Sequence, residues 1–231
     1  MATRPDFART DLSALGREDL AFLLERFPRA GDSYEEIAEV IAELPSTLET
    51  MLESEFVMRA VLGRRGELLR VSPFLLFNVL LRRTLADHRG RRERRVVNYL
   101  ANLLALFVRS DRLYRVAPGD SEPHRYIVEL LEEAAEADSR RRFLVHAHVG
   151  NYALFLAGLF PRWIEHRHRY RRRPVDLGFY VDFGRAYYQE ASRHPLAREY
   201  HLEDVFFRLA MLFEQYVAAL NRMSRQYLAL G

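Results

Sequence analysis

Residues 139–160 read SRRRFLVHAHVGNYALFLAGLF, and the eighteen positions from Phe143 to Phe160 carry no formal charge, bracketed by Arg140, Arg141 and Arg142 before and Arg162 after. A membrane-spanning helix needs about 20 predominantly apolar residues. This stretch is at the short limit and is interrupted by His146, His148, Asn151 and two glycines, polar or small groups that a lipid-exposed helix carries at a cost. It therefore predicts the buried central helix of a water-soluble body, with the other elements packed around it. Ala147, Gly150, Asn151, Leu154 and Gly158 share one face, and residues that small let a neighbouring helix approach closely.

Working outward, helical signals recur in both directions and alternating strand-like runs are nearly absent. Leu20, Leu23, Leu24 and Phe27 have helical spacing and stop at Pro28. Ser33 with Glu36, and Ser46 with Glu49, have the spacing of capping boxes. Ser72 followed by Pro73 marks an N-cap and a first helical residue, opening an apolar helix to about Ala86. Val96, Val97, Leu100, Leu103, Leu104, Phe107 and Val108 form a wide apolar stripe. Pro118, Gly119, Asp120 and Pro123 make 110–123 the longest turn-rich connection. Helices are then expected at 126–137, from Pro161, at 176–193, and in one last piece after Pro195 nearly thirty residues long. The fold class is all-α: a single compact domain of about eight to ten helices around the central helix near 139–160.

The chain has 231 residues, and all 35 basic side chains are Arg; there is no Lys and no Cys. Without cysteine, disulfides, thiolate nucleophiles, iron-sulfur clusters and Cys-ligated zinc are excluded, and a metal would need His and carboxylates. The net charge of +3 conceals an uneven layout: residues 1–56 carry 5 Arg against 13 acids, and residues 57–175 carry 24 Arg against 12. The chain divides accordingly into an acidic helical segment, 1–56, packed on or leading into the core, and a main helical domain, 57–231. Opposite charges of this size either satisfy one another internally or leave a basic face for an anionic partner. The first thirteen residues hold no apolar run of the kind a secretory signal needs, so the cytoplasm is the expected compartment.

Three Arg clusters are the candidate anion-binding groups: Arg92 and Arg95 with their neighbours, Arg140, Arg141 and Arg142, and Arg169, Arg171, Arg172 and Arg173 beside Tyr170 and several histidines. Guanidinium groups hold phosphate bidentately, and interleaved rings stack on bases. Arg at a helix start also opposes the helix dipole, so the first two clusters call for a neutralising anion, internal or external. Residues 36–52 have the spacing of a helix-turn-helix, but its second helix would show Glu49, Glu53 and Glu55 to DNA, which favours an ordinary helical hairpin.

Glu165 and His168 stand three apart, as in carboxylate-bridged metal bundles, but no second such pair occurs, so they are weak metal candidates and no cofactor is implied. No nucleophile elbow, phosphate loop or dinucleotide fingerprint occurs either. Asp176, Tyr180, Gly184 and Tyr187 repeat on one face of the 176–193 helix. Packed on the central helix, that face is expected to bury a structural polar network of His148, Asn151, Asp176, Tyr180 and Tyr187. The catalytic alternative uses the same groups: His148 as an acid-base group oriented by Asp176, with Tyr180 beside it.

Gly150 and Asn151, then Leu156 to Pro161, and later Asp176, Tyr180, Gly184, Ala186 and Tyr187 resemble a group of bacterial all-helical hypothetical proteins that carry a similar helix end and a similar Tyr, Gly, Ala-Tyr helix. The resemblance implies a bacterial origin and no activity. The sequence thus reads as a non-catalytic helical interaction protein. Its Arg-rich middle engages an anionic partner, which is the acidic segment, another subunit, or RNA or DNA. The alternatives are a small-molecule or metal-dependent enzyme and a peripheral membrane protein.

Overall fold

Asp138 sits in extended backbone, and its carboxylate accepts the Arg141 amide at 2.7 Å, so the chain enters its central helix with a donor already satisfied. In the computed structural model, which describes residues 4–25, 45–63, 71–85, 91–121, 123, 127–171 and 175–228, that helix runs Ser139–Leu159 and buries fourteen of its twenty-one residues. After its arginine-rich first turn, from Phe143 on, it carries no formal charge on any face, as suits a helix enclosed by protein. No helix among the described residues is long and apolar enough by itself to cross a membrane.

Thirteen α-helices and no strand occur among the described residues, so the protein is all-α. In chain order they are α1 (Arg17–Glu25), α2 (Pro45–Glu53), α3 (Glu55–Leu62), α4 (Pro73–Thr84), α5 (Arg91–Phe107), α6 (Ser110–Leu113) and α7 (Ile127–Glu136). The central α8 (Ser139–Leu159) is followed by α9 (Pro161–Arg171), α10 (Leu177–Arg193), α11 (Pro195–Glu199), α12 (Glu203–Met211) and α13 (Phe213–Met223), with a π-helical turn at Ser224–Leu228. The central helix packs against α10, α13 and α7; α10 also meets α12, and α4 pairs with α5.

Small residues set how closely these helices approach. A Cβ added at Gly150 would stand 2.8 Å from the Tyr188 ring, and one at Gly184 would stand 2.2 Å from Phe213. Gly150 and Gly184 therefore admit aromatic rings from facing helices into space that any side chain would fill.

The stretch after Pro195 is three helices where the periodicity predicts one. His201 has φ 57°, a left-handed conformation unusual for a residue other than glycine. The His201 amide donates to the Arg198 carbonyl at 3.0 Å, and the Leu202 amide donates to the Ala197 carbonyl at 2.6 Å. This is a Schellman termination with histidine in the place glycine usually takes, closed by contact between buried Ala197 and Leu202. Arg95 donates to the His201 carbonyl and Arg4 to the Tyr200 carbonyl, supplying cations to a helix end. A second break falls at Leu212 (φ −114°, ψ 26°). With no Gly or Pro at either place, neither break has a sequence signal.

Phe7, Ala8, Leu12, Phe22, Leu23, Leu24, Leu48, Met51 and Leu52 of the acidic segment belong to the same buried cluster as the cores of α4, α5 and α8. Buried Asp19 accepts the amides of Gly16 at 3.0 Å and Ser72 at 2.7 Å, fastening α1 to the start of α4. Ser72 caps α4 through the Leu75 amide at 3.1 Å, as its sequence context predicts. The Ser46–Glu49 capping box does not form, because α2 already begins at Pro45 and Glu49 turns inward. The Ser33–Glu36 box and the first helix of the helix-turn-helix spacing lie outside the described residues.

Candidate anion-binding surface

Most described arginines of the basic middle have internal partners. Arg82 is almost wholly buried and donates to Glu49 at 2.5 Å, Glu53 at 3.1 Å and the Asn78 side-chain oxygen at 2.7 Å. Arg94 reaches Glu53 at 3.1 Å, and Arg83 reaches Glu55 at 2.7 Å. Arg112 grips Asp6 through Nε at 3.0 Å and Nη2 at 2.9 Å. All of these acids belong to residues 1–56, so described parts of the acidic segment meet described arginines of the basic middle.

The Arg140–Arg142 cluster at the start of α8 is neutralised in a related way. Arg141 forms two parallel hydrogen bonds with Asp120, at 2.8 and 3.0 Å, and a third with Glu133. Burial opposes both charges of the Arg141–Asp120 pair. The hydrogen bonds outweigh it, holding Asp120 below and Arg141 above their ordinary values. Arg142 donates to the carbonyls of Ala134 at 3.0 Å and Ala137 at 3.1 Å, so it stabilises the C-terminal end of α7. Arg140 is exposed. The Arg92 and Arg171 side chains, and Arg172 and Arg173, lie outside the described residues.

Asn151 is bonded by two tyrosines outside the expected network. Its Oδ1 accepts two hydroxyls, Tyr99 from α5 at 2.6 Å and Tyr188 from α10 at 2.7 Å, with both tyrosines fully buried. Burial raises both phenols far above their ordinary values, so they remain neutral donors. Asp176 is exposed and caps α10 through the Phe179 amide at 2.8 Å. His148 is buried with its ring edge-on to Phe107, 5.9 Å away, and 6.4 Å from the Tyr152 ring. Tyr180 is half-buried, and Tyr187 packs edge-on to His146. Helix α10 thus turns Tyr188, the next residue round from Tyr187, toward Asn151. Three asparagines in the apolar runs of α4 and α5, Asn78, Asn98 and Asn102, are buried, and Asn78 and Asn98 join the Arg82 cluster. Such amides in helical core stripes were the available signal for polar networks there.

No group of three or more His, Asp or Glu side chains among the described residues is placed to hold a metal. Glu165 and His168 are both exposed on α9. That helix has a different character: Ile164 is the one buried side chain among those described on it, while Arg162, His166, His168 and Arg169 are exposed, Trp163 is 44% exposed and Tyr170 68%. The Arg167 guanidinium lies 4.4 Å over the Trp163 ring, and the His166 and Tyr170 rings are 4.8 Å apart. These four residues occupy one face at helical spacing and form a row of two aromatic and two basic or titratable planes, exposed at Trp163, His166 and Tyr170 and half-buried at Arg167.

His194 joins the ends of α10 and α11. Its Nδ1 accepts the Leu196 amide at 3.2 Å, and its Nε2 is 3.1 Å from the Ser139 hydroxyl. An acceptor role at Nδ1 requires the neutral ring. Burial, together with Arg142, lowers the His194 pKa despite the Ser139 hydrogen bond; His146 is lowered by burial, His194 and Arg142, opposed by Glu190. A folded value below the ordinary 6.5 means that protonation favours the unfolded chain. Stability is therefore expected to be complete above pH 6.5 and to fall as pH drops from there toward the folded values. Urea midpoints measured between about pH 7.5 and pH 5 should show this decline. The decline should shrink in His194→Asn, whose amide oxygen still caps α11 but does not titrate; an unchanged pH profile would refute the assignment.

No protein-family description, curated protein sequence or solved structure matches this chain.

Proposed function

We propose that this is a non-catalytic helical interaction protein that holds single-stranded nucleic acid, RNA or DNA, on the outer face of α9. The observation that supports this reading is the row of exposed Trp163, His166 and Tyr170 with half-buried Arg167. The row contrasts with Arg82, Arg94, Arg112 and Arg141, which are held by carboxylates. Exposed aromatic planes are sequence-tolerant stacking platforms, and neighbouring guanidinium groups follow the phosphate backbone. Arg162 and Arg169 flank the row, and Glu165 is the one acid on the helix.

Trp163 is the protein's single tryptophan, so base stacking there is read directly as quenching of its fluorescence. A labelled uridine oligomer at low salt should quench it and bind with an affinity that falls steeply as salt rises. Tyr170→Ala should lose about 1–3 kcal/mol of binding. Arg169→Ala should reduce the salt slope by about one. Undetectable binding at low salt, or binding unaffected by both substitutions, would overturn the proposal.

A further inference from the structure

Beside the α9 row lies a cleft of about 990 Å³, bounded by the C-terminal end of α8, the start of α9, the N-terminal half of α10 and one side of α13. Its volume is at the upper end of those that enclose small molecules. Three arginines line it against two carboxylates, Glu165 on α9 and Glu214 on α13. Arg162, Asn221, Arg222 and Arg225 lie toward one end, where the Ser224 hydroxyl bonds the Leu159 carbonyl and draws the π-helical turn onto the α8 terminus. Glu214 lies toward the other end, two turns back along α13, where Arg185 binds it at 2.7 Å. The intervening wall is apolar, formed by Val181, Leu177, Val217 and Ala218. With a rise of 1.5 Å per residue, that wall separates the cationic end from Glu214 by about 10 Å.

Although Glu165 also lines the cleft, no ion pair joins it to these arginines among the described residues. Arg222 donates to the Thr84 carbonyl at 2.8 Å, whereas Arg162 and Arg225 are exposed and make no ion pair or hydrogen bond with the described residues. The wall also ends in a π-helical turn, a local geometry that recurs at functional sites. We infer that this cleft binds a small amphipathic anion: a carboxylate or phosphate-ester head at Arg162 and Arg225, with an apolar body along Val217 and Ala218 toward Val181. The cleft shares Trp163 and the neighbouring Arg162 with the start of α9 but includes none of His166, Arg167 and Tyr170, so the two readings can be tested apart.

Calorimetry on the full chain, below micelle-forming concentrations, tests it with three probes that share one apolar tail: decanoate, decyl phosphate and decanol. Decanoate or decyl phosphate should bind at least about tenfold more tightly than decanol, and the tighter of the two identifies the head group. Arg225→Ala should weaken the anion about tenfold and leave decanol unchanged. Ala218→Trp, at an exposed position, should block all three without altering thermal stability. Tyr170→Ala should leave decanoate binding intact while lowering oligonucleotide affinity, which separates failure of this site from failure of the α9 row. Equal affinity for decanol and both anions, no binding of either anion, or an Arg225→Ala chain that binds the anion as before would each overturn the inference.

Discussion

Arg82→Ala is expected to destabilise the protein by about 3–5 kcal/mol, because it strips a buried carboxylate of its principal counter-charge. Arg82 is 2% exposed, and its guanidinium satisfies Glu49, Glu53 and Asn78 at once. Burial pushes its pKa down while Glu49 and Glu53 hold it up, so the cluster is stable only as a complete set. After the substitution, the cation left beside Glu49 among the described residues is Arg94, 3.7 Å away. For a chain of this size the loss corresponds to a fall in thermal midpoint of about 6–20 °C, measurable by calorimetry. Pairing Arg82→Met with Glu49→Leu should recover part of it, since an apolar pair of similar volume has no uncompensated charge to bury. A single Arg82→Ala change that lowers stability by less than about 1 kcal/mol would mean that the cluster is open to water in solution.

Asn151→Leu is expected to cost about 2–6 kcal/mol, from two buried hydroxyls that lose their acceptor at once. Asn151 Oδ1 is the shared partner of Tyr99 and Tyr188, both fully buried. Neither can ionise to relieve the deficit, since burial raises both phenols. The single variant should therefore show a lowered urea midpoint, and the triple variant with Tyr99→Phe and Tyr188→Phe should recover most of it, because all three polar groups are then removed together. If the triple variant is no more stable than the single one, the hydroxyls are not what Asn151 serves. The network ties α5, α8 and α10 at one point, and Gly150 is the residue that lets the Tyr188 ring approach α8.

The charge layout bears on both results. Glu49, Glu53, Glu55 and Asp6 are bound by Arg82, Arg94, Arg83 and Arg112. Several arginines of the basic middle are therefore paired inside the molecule, while Arg162 and Arg169 on α9 and Arg225 beside the cleft are exposed. Net charge carries little information of that kind, since it sums buried and exposed groups without distinction.

The all-helical class, the buried central helix and the Ser72–Pro73 start of α4 follow from the sequence alone, because helical spacing and end signals are local and involve residues within a few positions of one another. The Asp176 start of α10 is local in the same sense, although its carboxylate caps the helix and enters no buried network. Tertiary structure decided the rest. Whether α10 presents Tyr187 or Tyr188 to Asn151 depends on a rotation of one residue about its axis, set by Gly184 receiving Phe213 from α13. Whether Arg82 meets Glu49 depends on how α2 docks on α4, across 33 positions of sequence. The His201 turn forms because Ala197 and Leu202 bury together and Arg95, 106 positions away, supplies a cation to it. Periodicity states which face of a helix is apolar; only packing against the other helices states which side chain on that face finds a polar partner.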